Sequence, residues 1–376
     1  MSCIENPLSP CAMTGACAVL SGFKGLAVVV HGSSGCYYYP KALLKTPLYS
    51  TFLLESEIVL GTVDRLKEVV SGLEKTGKPV AVVNTCVPAL TGEDLSKAFA
   101  AVTLPSGTEA SGAVFVDAPG YIGDAAAGAA AAYKALDIRI NPEIRGVNID
   151  GVLSLDLFAR GNLHEAERLL SLMHIPAAVR FASDTYAHLM SGVAPFTVSV
   201  NPSWDAGVGT YLGSFLFPEL KKTAEALEKQ FPGAVFDVFY EELSRADEQM
   251  FYYADKYLRK YAPPRAAVTS GREYCEFADK MLRRYFGSDA ALQLPREEIT
   301  DYTVICEKLQ EYKPDLLLGS SFEAAAVREI PCAFVGMTHP DRSRISMSAS
   351  AVSGIEGGIS FMERCINALI DVKKGM

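Results

Sequence analysis

The sequence predicts an α/β fold of three Rossmann-like domains, each a parallel sheet flanked by helices. Short apolar, β-branched runs such as Val80-Ala-Val-Val-Asn84 and Leu316-Leu-Leu318 alternate with amphipathic stretches along the whole chain. That alternation is the mark of parallel strands covered on both faces by helices. The length, 376 residues with 49% hydrophobic, suits two to three domains with substantial cores. Prolines mark two joints, at Ile138-Arg-Ile-Asn-Pro142 and at Pro263-Pro264. They divide the chain into units of about 1–140, 141–262 and 263–376.

Taken in order, the strands predicted are Leu26–Val30, Val80–Asn84, Ala113–Asp117, Val147–Val152, Ala177–Phe181, Thr197–Val200, Ala266–Thr269, Leu316–Leu318 and Ala333–Val335. Each is a short run rich in Val, Ile, Leu, Ala or Phe. Between them, apolar residues recur at helical spacing over Glu57–Lys75, Asp124–Leu136, His164–Met173, Pro218–Phe231, Glu241–Tyr261, Arg272–Phe286 and Gly357–Val372. No fixed-period repeat is visible.

Composition excludes several partners. A formal charge of −9 argues against nucleic acid and anionic membranes, which select Lys/Arg-rich surfaces. The longest apolar runs fall far short of the roughly 20 residues that span a bilayer, and the amino terminus does not read as a signal peptide. The expected location is the cytoplasm, where nine cysteines serve as ligands or buried thiols and not as disulfides.

Three of those cysteines stand apart. Cys11-Ala-Met-Thr-Gly lies in an entry segment, Cys36 ends His31-Gly-Ser-Ser-Gly-Cys36 after the first strand, and Cys86 follows the second strand in Asn84-Thr-Cys86-Val-Pro. Thiols in strand-end loops can converge above a sheet, outside the carboxyl ends of its strands, where α/β proteins bind ligands. Convergent thiolates hold soft metal clusters, above all iron–sulfur cubanes. The competing account is buried structural thiols, the commonest fate of free cysteine. Cys275, Cys306, Cys332 and Cys365 lie inside helical or strand patterns and are read that way. Gly72-Leu-Glu-Lys-Thr-Gly77-Lys78 imitates a phosphate loop, but Pro79 stands where Ser or Thr must bind magnesium, and the stretch ends a helix before a strand. Neither ATP nor NAD(P) is expected on this chain.

The order of these segments resembles component 1 of the nitrogenase superfamily, which includes protochlorophyllide reductases and the nickel-sirohydrochlorin reductive cyclase. Asn6-Pro7 ahead of Cys11, the Cys36 loop, Glu55-Ser-Glu57 with Gly61, and Cys86 with Gly92-Glu-Asp94 are similar to the β-type subunit pattern. Phe115-Val-Asp-Ala-Pro119-Gly-Tyr-Ile-Gly123, Lys313-Pro-Asp315-Leu-Leu-Leu-Gly319 and Ser353-Gly-Ile-Glu-Gly-Gly358 follow in the family order. The resemblance implies that Cys11, Cys36 and Cys86 ligate an iron–sulfur cluster, a 4Fe-4S cluster at a subunit interface, with an 8Fe-7S type as the alternative. It implies a nitrogenase-type iron protein, itself an ATPase, as electron donor, and a homologous component 1 subunit as partner in a homodimer or heterotetramer. Ser353 occupies the position where cofactor-holding subunits carry a His, so a substrate other than dinitrogen, or a subunit without that cofactor, is expected.

Three thiols leave a cubane one ligand short. The fourth is sought in the partner subunit, in an Asp or Ser, or in Cys3 or Cys17 of this chain, with Cys17 read as a core residue. His31 is expected to brace the Cys36 loop. His339, in Met337-Thr-His-Pro-Asp-Arg342-Ser-Arg344, is the candidate catalytic residue, in a loop suited to an anionic substrate and to proton delivery. An ordinary solvated loop is the alternative there, and plain packing the preferred account of Tyr37-Tyr38-Tyr39. The function expected is a nitrogenase-like, ATP-dependent reductase component that passes electrons to a small molecule. The alternative is a scaffold on which a metallocluster is assembled.

Overall fold

The computed structural model describes residues 10–103, 113–343, 345 and 347–375. Cys3, Asn6, Pro7 and Arg344 lie outside them. Among the described residues twelve strands form three four-stranded sheets in which every pairing is parallel. The first holds β1 (Ala27–His31), β2 (Tyr49–Ser50), β3 (Val80–Asn84) and β4 (Val114–Asp117) in the order β2-β1-β3-β4. The second holds β5 (Val147–Asp150), β6 (Ala177–Arg180), β7 (Phe196–Ser199) and β8 (Thr210–Ser214), ordered β6-β5-β7-β8. The third holds β9 (Ala266–Val268), β10 (Leu292–Gln293), β11 (Leu316–Gly319) and β12 (Ala333–Gly336), ordered β10-β9-β11-β12. One topology is therefore built three times, and each time the strand order reverses between the first strand and its two neighbours. That switch point is where an open parallel sheet leaves a crevice.

All nine predicted strands are present. The unpredicted β2 and β10 are only two residues long, and β8 is interrupted by Gly213, so none displays a readable apolar run. The helix Ala12–Gly22 was not predicted because every residue from Ala12 to Leu20 is buried, which leaves no polar face and no amphipathic period. The helix predicted over Glu57–Lys75 is two, Glu55–Leu60 and Val63–Glu74, parted at Gly61, whose φ of 119° no helical residue adopts.

The apolar cores cross the sheet boundaries. Val147 and Ile149 of the second sheet share one cluster with Leu316, Leu318 and Val335 of the third. The carboxy-terminal helix Gly354–Gly375 packs on the helices Ala159–Leu172 and Asp237–Leu258 as well as on β12. No helix among the described residues is long and apolar enough to cross a membrane.

Candidate metallocluster site

The register of the first sheet sets the site. His31, Asn84 and Asp117 pair side by side at the carboxyl ends of β1, β3 and β4, so the segments leaving those strands start as neighbours. The β1 segment turns into the helix Ser34–Leu44, which carries Cys36 in its first turn. The β3 segment turns at Thr85 into the helix Cys86–Leu90. The β4 segment continues through Pro119 to Gly120. Cys11 caps the helix Ala12–Gly22 and pairs as an isolated bridge with Asp124, the next helix's cap.

Gly120 is where they meet. A Cβ built there would lie 3.3 Å from the Cys86 sulfur and 3.4 Å from the Cys11 sulfur, and the Gly120 N–H donates to Cys86 Sγ at 3.0 Å. Glycine thus keeps open the ground between two thiols. Cys36 lies in the electrostatic field of both, and its sulfur is hydrogen-bonded to the Ser33 and Thr85 side chains. Burial raises the Cys36 thiol above its ordinary value, opposed by those two hydrogen bonds. Thr85 also donates to the His31 carbonyl at 2.8 Å, so one side chain ties the two cysteine segments together. Gly32 makes that approach possible, because a Cβ there would stand 2.2 Å from Thr85 Oγ1.

The expectation of thiols in loops is corrected. Cys36 and Cys86 sit in the first turns of helices and Cys11 at a helix cap, where backbone N–H groups lack intrahelical partners. A donor set of half-buried thiols with backbone N–H support and a glycine-cleared space fits an iron–sulfur cluster. No group of three or more His, Cys, Asp or Glu among the described residues is gathered for a single metal ion. A cubane spreads its ligands over four irons and needs no such tight gathering.

The remaining cysteines separate from this set. Cys17, considered as a fourth ligand, is fully buried beside Met13, and burial holds its thiol far above the usual range. Cys275 and Cys365 are core residues, and Cys306 is half-buried. Cys332, expected on an apolar strand, stands one residue before β12 and is only half-buried.

His31 is fully buried, with Nδ1 3.2 Å from Thr51 Oγ1 and Nε2 3.1 Å from Thr62 Oγ1. Thr62 in turn donates from its hydroxyl and its N–H to Glu93, at 2.7 and 2.8 Å. Glu93, just beyond the Cys86 helix, therefore caps the helix Val63–Glu74, and the break at Gly61 lets Thr62 reach it. Burial lowers His31 from 6.5 to about 4, against the pull of Glu93 and Glu57. The folded protein holds it neutral. Since the folded value is the lower one, its stabilisation is present above pH 6.5 and is lost as pH falls toward 4. Urea denaturation should show stability falling over that window by up to about 3 kcal/mol, and His31→Gln should flatten the slope. An unchanged slope in the variant would remove His31 from this role.

His339 lines a cavity of about 310 Å³ to which all three units contribute, together with Pro10, Tyr39, Trp204, Arg296 and Arg342. Pro10 adjoins Cys11, and Tyr39 is one helical turn beyond Cys36. Burial lowers His339, reinforced by Arg296, Lys45 and Arg342, so the ring is kept neutral. Arg296, which carries no sequence signal, donates to the His339 carbonyl at 3.0 Å and pairs at 2.6 Å with the fully buried Glu323. Its buried Nε has no partner. A wider groove of about 990 Å³ near Glu219 and Arg284 holds none of these residues. Ser353 lies away from the thiols, its hydroxyl bonded to the Val200 carbonyl and its N–H to Asn162. Sequence reasoning missed Gly120, Thr85 and Trp204; Pro119-Gly120 after a strand was the one available signal.

Comparison with known proteins gives a family and a fold. Residues 11–214 match the family described as nitrogenase component 1 type oxidoreductase. The chain is similar to the nitrogenase molybdenum-iron protein beta chain of Frankia alni, 34% identical over 98 residues, covering 24% of this chain and 19% of that one. It is 28% identical over 196 residues to the beta chain of Bradyrhizobium diazoefficiens, covering 46% of this chain and 37% of the other. From the same organism, the nitrogenase iron-molybdenum cofactor biosynthesis protein NifN is 28% identical over 102 residues, 25% of this chain and 22% of that one. These matches span well under half the length of the relatives. A solved structure titled "Nitrogenase Cp1 at pH 6.5" superposes with a TM-score of 0.77 at 17% identity, covering 97% of this chain and 93% of that one, which shows a shared fold.

Proposed function

The chain belongs to the nitrogenase component 1 type oxidoreductases, and from that membership we propose that it is the substrate-reducing component of a two-component reductase. Cys11, Cys36 and Cys86 hold an iron–sulfur cluster, which supplies one-electron transfer when bound. The observation that carries this reading is the meeting of the Cys11 and Cys86 sulfurs at Gly120, with Cys36 beside them. The cavity next to Pro10 and Tyr39 takes the substrate, Arg342 and Arg296 orient it, and His339, kept neutral, accepts or relays a proton there.

The donor is an iron protein that hydrolyses ATP, and a homologous subunit covers the cluster face. Leu60 and Leu90, 87% and 75% exposed, flank the cysteine helices together with Tyr38 and Val59, an apolar surface of the kind partner subunits cover. Mixing the anaerobically reconstituted chain with a nitrogenase-type iron protein, MgATP and dithionite should produce ATP-dependent oxidation of that protein. Oxidation at the same rate without the chain would refute the assignment. The similarity to NifN favours one second reading, a scaffold for metallocluster assembly. It requires iron to leave this chain on incubation with an acceptor protein, with no turnover.

A further inference from the structure

Two carboxylates, Asp150 buried and Asp205 half-buried, stand behind the cavity wall. The segment joining β7 to β8 brings Ser203 and Trp204 to the cavity and is tied down just beyond them. Asp205 Oδ1 accepts from Ser199 Oγ at 2.5 Å, Ala206 N–H donates to Asp150 Oδ2 at 2.7 Å, and Gly207 N–H donates to Tyr211 Oη at 3.0 Å. Tyr211 closes the circuit by donating to the same Asp150 oxygen at 2.5 Å, while the Gly151 N–H donates to Asp150 Oδ1 at 2.7 Å. Three consecutive residues after Trp204 thus depend on one polar cluster.

Its charges do not balance. Asp150 is fully buried, Asp205 is partly so, and no Lys or Arg forms an ion pair with either among the described residues. The titratable groups facing them are each other, Glu273 from the helix Arg272–Phe286, Tyr211 from β8 and Tyr133 from the helix Ala125–Ala135. The Tyr133 hydroxyl is buried there without a hydrogen-bond partner. Two carboxylates in such a place cannot both carry a charge without a large desolvation and repulsion cost.

We propose that Asp150 and Asp205 share one proton, and that the singly charged pair is a latch holding Trp204 and Ser203 against the cavity. Loss of that proton to solvent places two like charges in one buried site and frees the segment. The role of the cavity as a substrate site rests on the proposed function; the latch itself needs neither iron nor a partner. Burial, with the Asp150 charge adding to it, pushes Asp205 up to about 8. The folded state therefore binds a proton that the unfolded chain has already released. The latch is closed at lower pH and opens as pH rises through that value.

Trp204 is the only tryptophan, so its fluorescence reports the segment alone. Acrylamide quenching of the full chain is measured from about pH 6 to about pH 10, with far-UV circular dichroism to confirm that the fold persists. Quenching should rise severalfold with a midpoint near 8, and Asp205→Asn, which is neutral at every pH, should stay protected throughout. Should that variant not fold, Asp150→Asn takes its place and, with a single carboxylate left in the site, should likewise stay protected across the range. Flat quenching in the parent, or an unshifted transition in the variant that folds, overturns the latch. Because no step uses iron, such a failure would leave the reductase reading intact, and failure of electron transfer would leave the latch intact.

Discussion

Replacing Cys36 or Cys86 with alanine is expected to strip iron from the anaerobically prepared chain while leaving its unfolding midpoint nearly unchanged. Both thiols are half-buried at helix starts, and their contacts are to Ser33, Thr85 and the Gly120 N–H, with the apolar core lying below them. Truncating either side chain removes a ligand and opens no sealed cavity. Cys365→Ala should do the reverse. That side chain is fully buried in the core shared by the second and third sheets, where truncation costs about 1 kcal/mol or more and touches no iron. Iron and acid-labile sulfide assays, read beside denaturation curves, separate the two. Full iron in Cys36→Ala, or its loss in Cys365→Ala, would move the site elsewhere.

Gly128→Ala should be among the most damaging substitutions in the first unit, although alanine in a helix is ordinarily better than glycine by about 1 kcal/mol. The helix Ala125–Ala135 crosses the helix Ala12–Gly22 so closely that a Cβ on Gly128 would fall 1.7 Å from the Ala12 carbonyl oxygen. The reciprocal Cβ on Gly15 would fall 1.9 Å from the Ala125 carbonyl oxygen. Backbone cannot swing away as a flexible side chain does, so the helices must part, at a cost of about 3 kcal/mol. Ala12 follows Cys11, and its N–H is bonded to the Gly123 carbonyl at 3.1 Å, so parting the helices also drags a thiol off Gly120. Thermal unfolding and iron content should fall together. A gain in stability, as propensity alone predicts, would show that the contact is not that close.

Much of the fold was legible because a buried strand advertises itself locally. Val80-Ala-Val-Val-Asn84 is apolar on both faces, and β3 occupies those residues. Amphipathic helices such as Arg272–Phe286 were equally plain. The helix Ala12–Gly22 was not, since burial on all sides removes the period that reveals a helix. The threefold strand order left no repeat in the sequence either, because topology is set by where crossovers pass and not by which residues they contain. Of the site, the sequence singled out the thiols and the His339 loop, while Gly120, Thr85, Arg296 and Trp204 carried no adequate signal.

What the sequence determined by itself was the α/β class and the three cysteines that depart from apolar faces, since hydrophobic period and turn residues act over a few positions. What only the tertiary structure decided was which distant groups meet. Glu93 caps a helix beginning at Val63, Gly120 clears space between Cys11 and Cys86, and the Ala206 N–H joins Asp150 across 56 positions of chain. Those encounters depend on strand register and on the close approach of backbones at glycines, which are properties of packing and are written in no single stretch of residues.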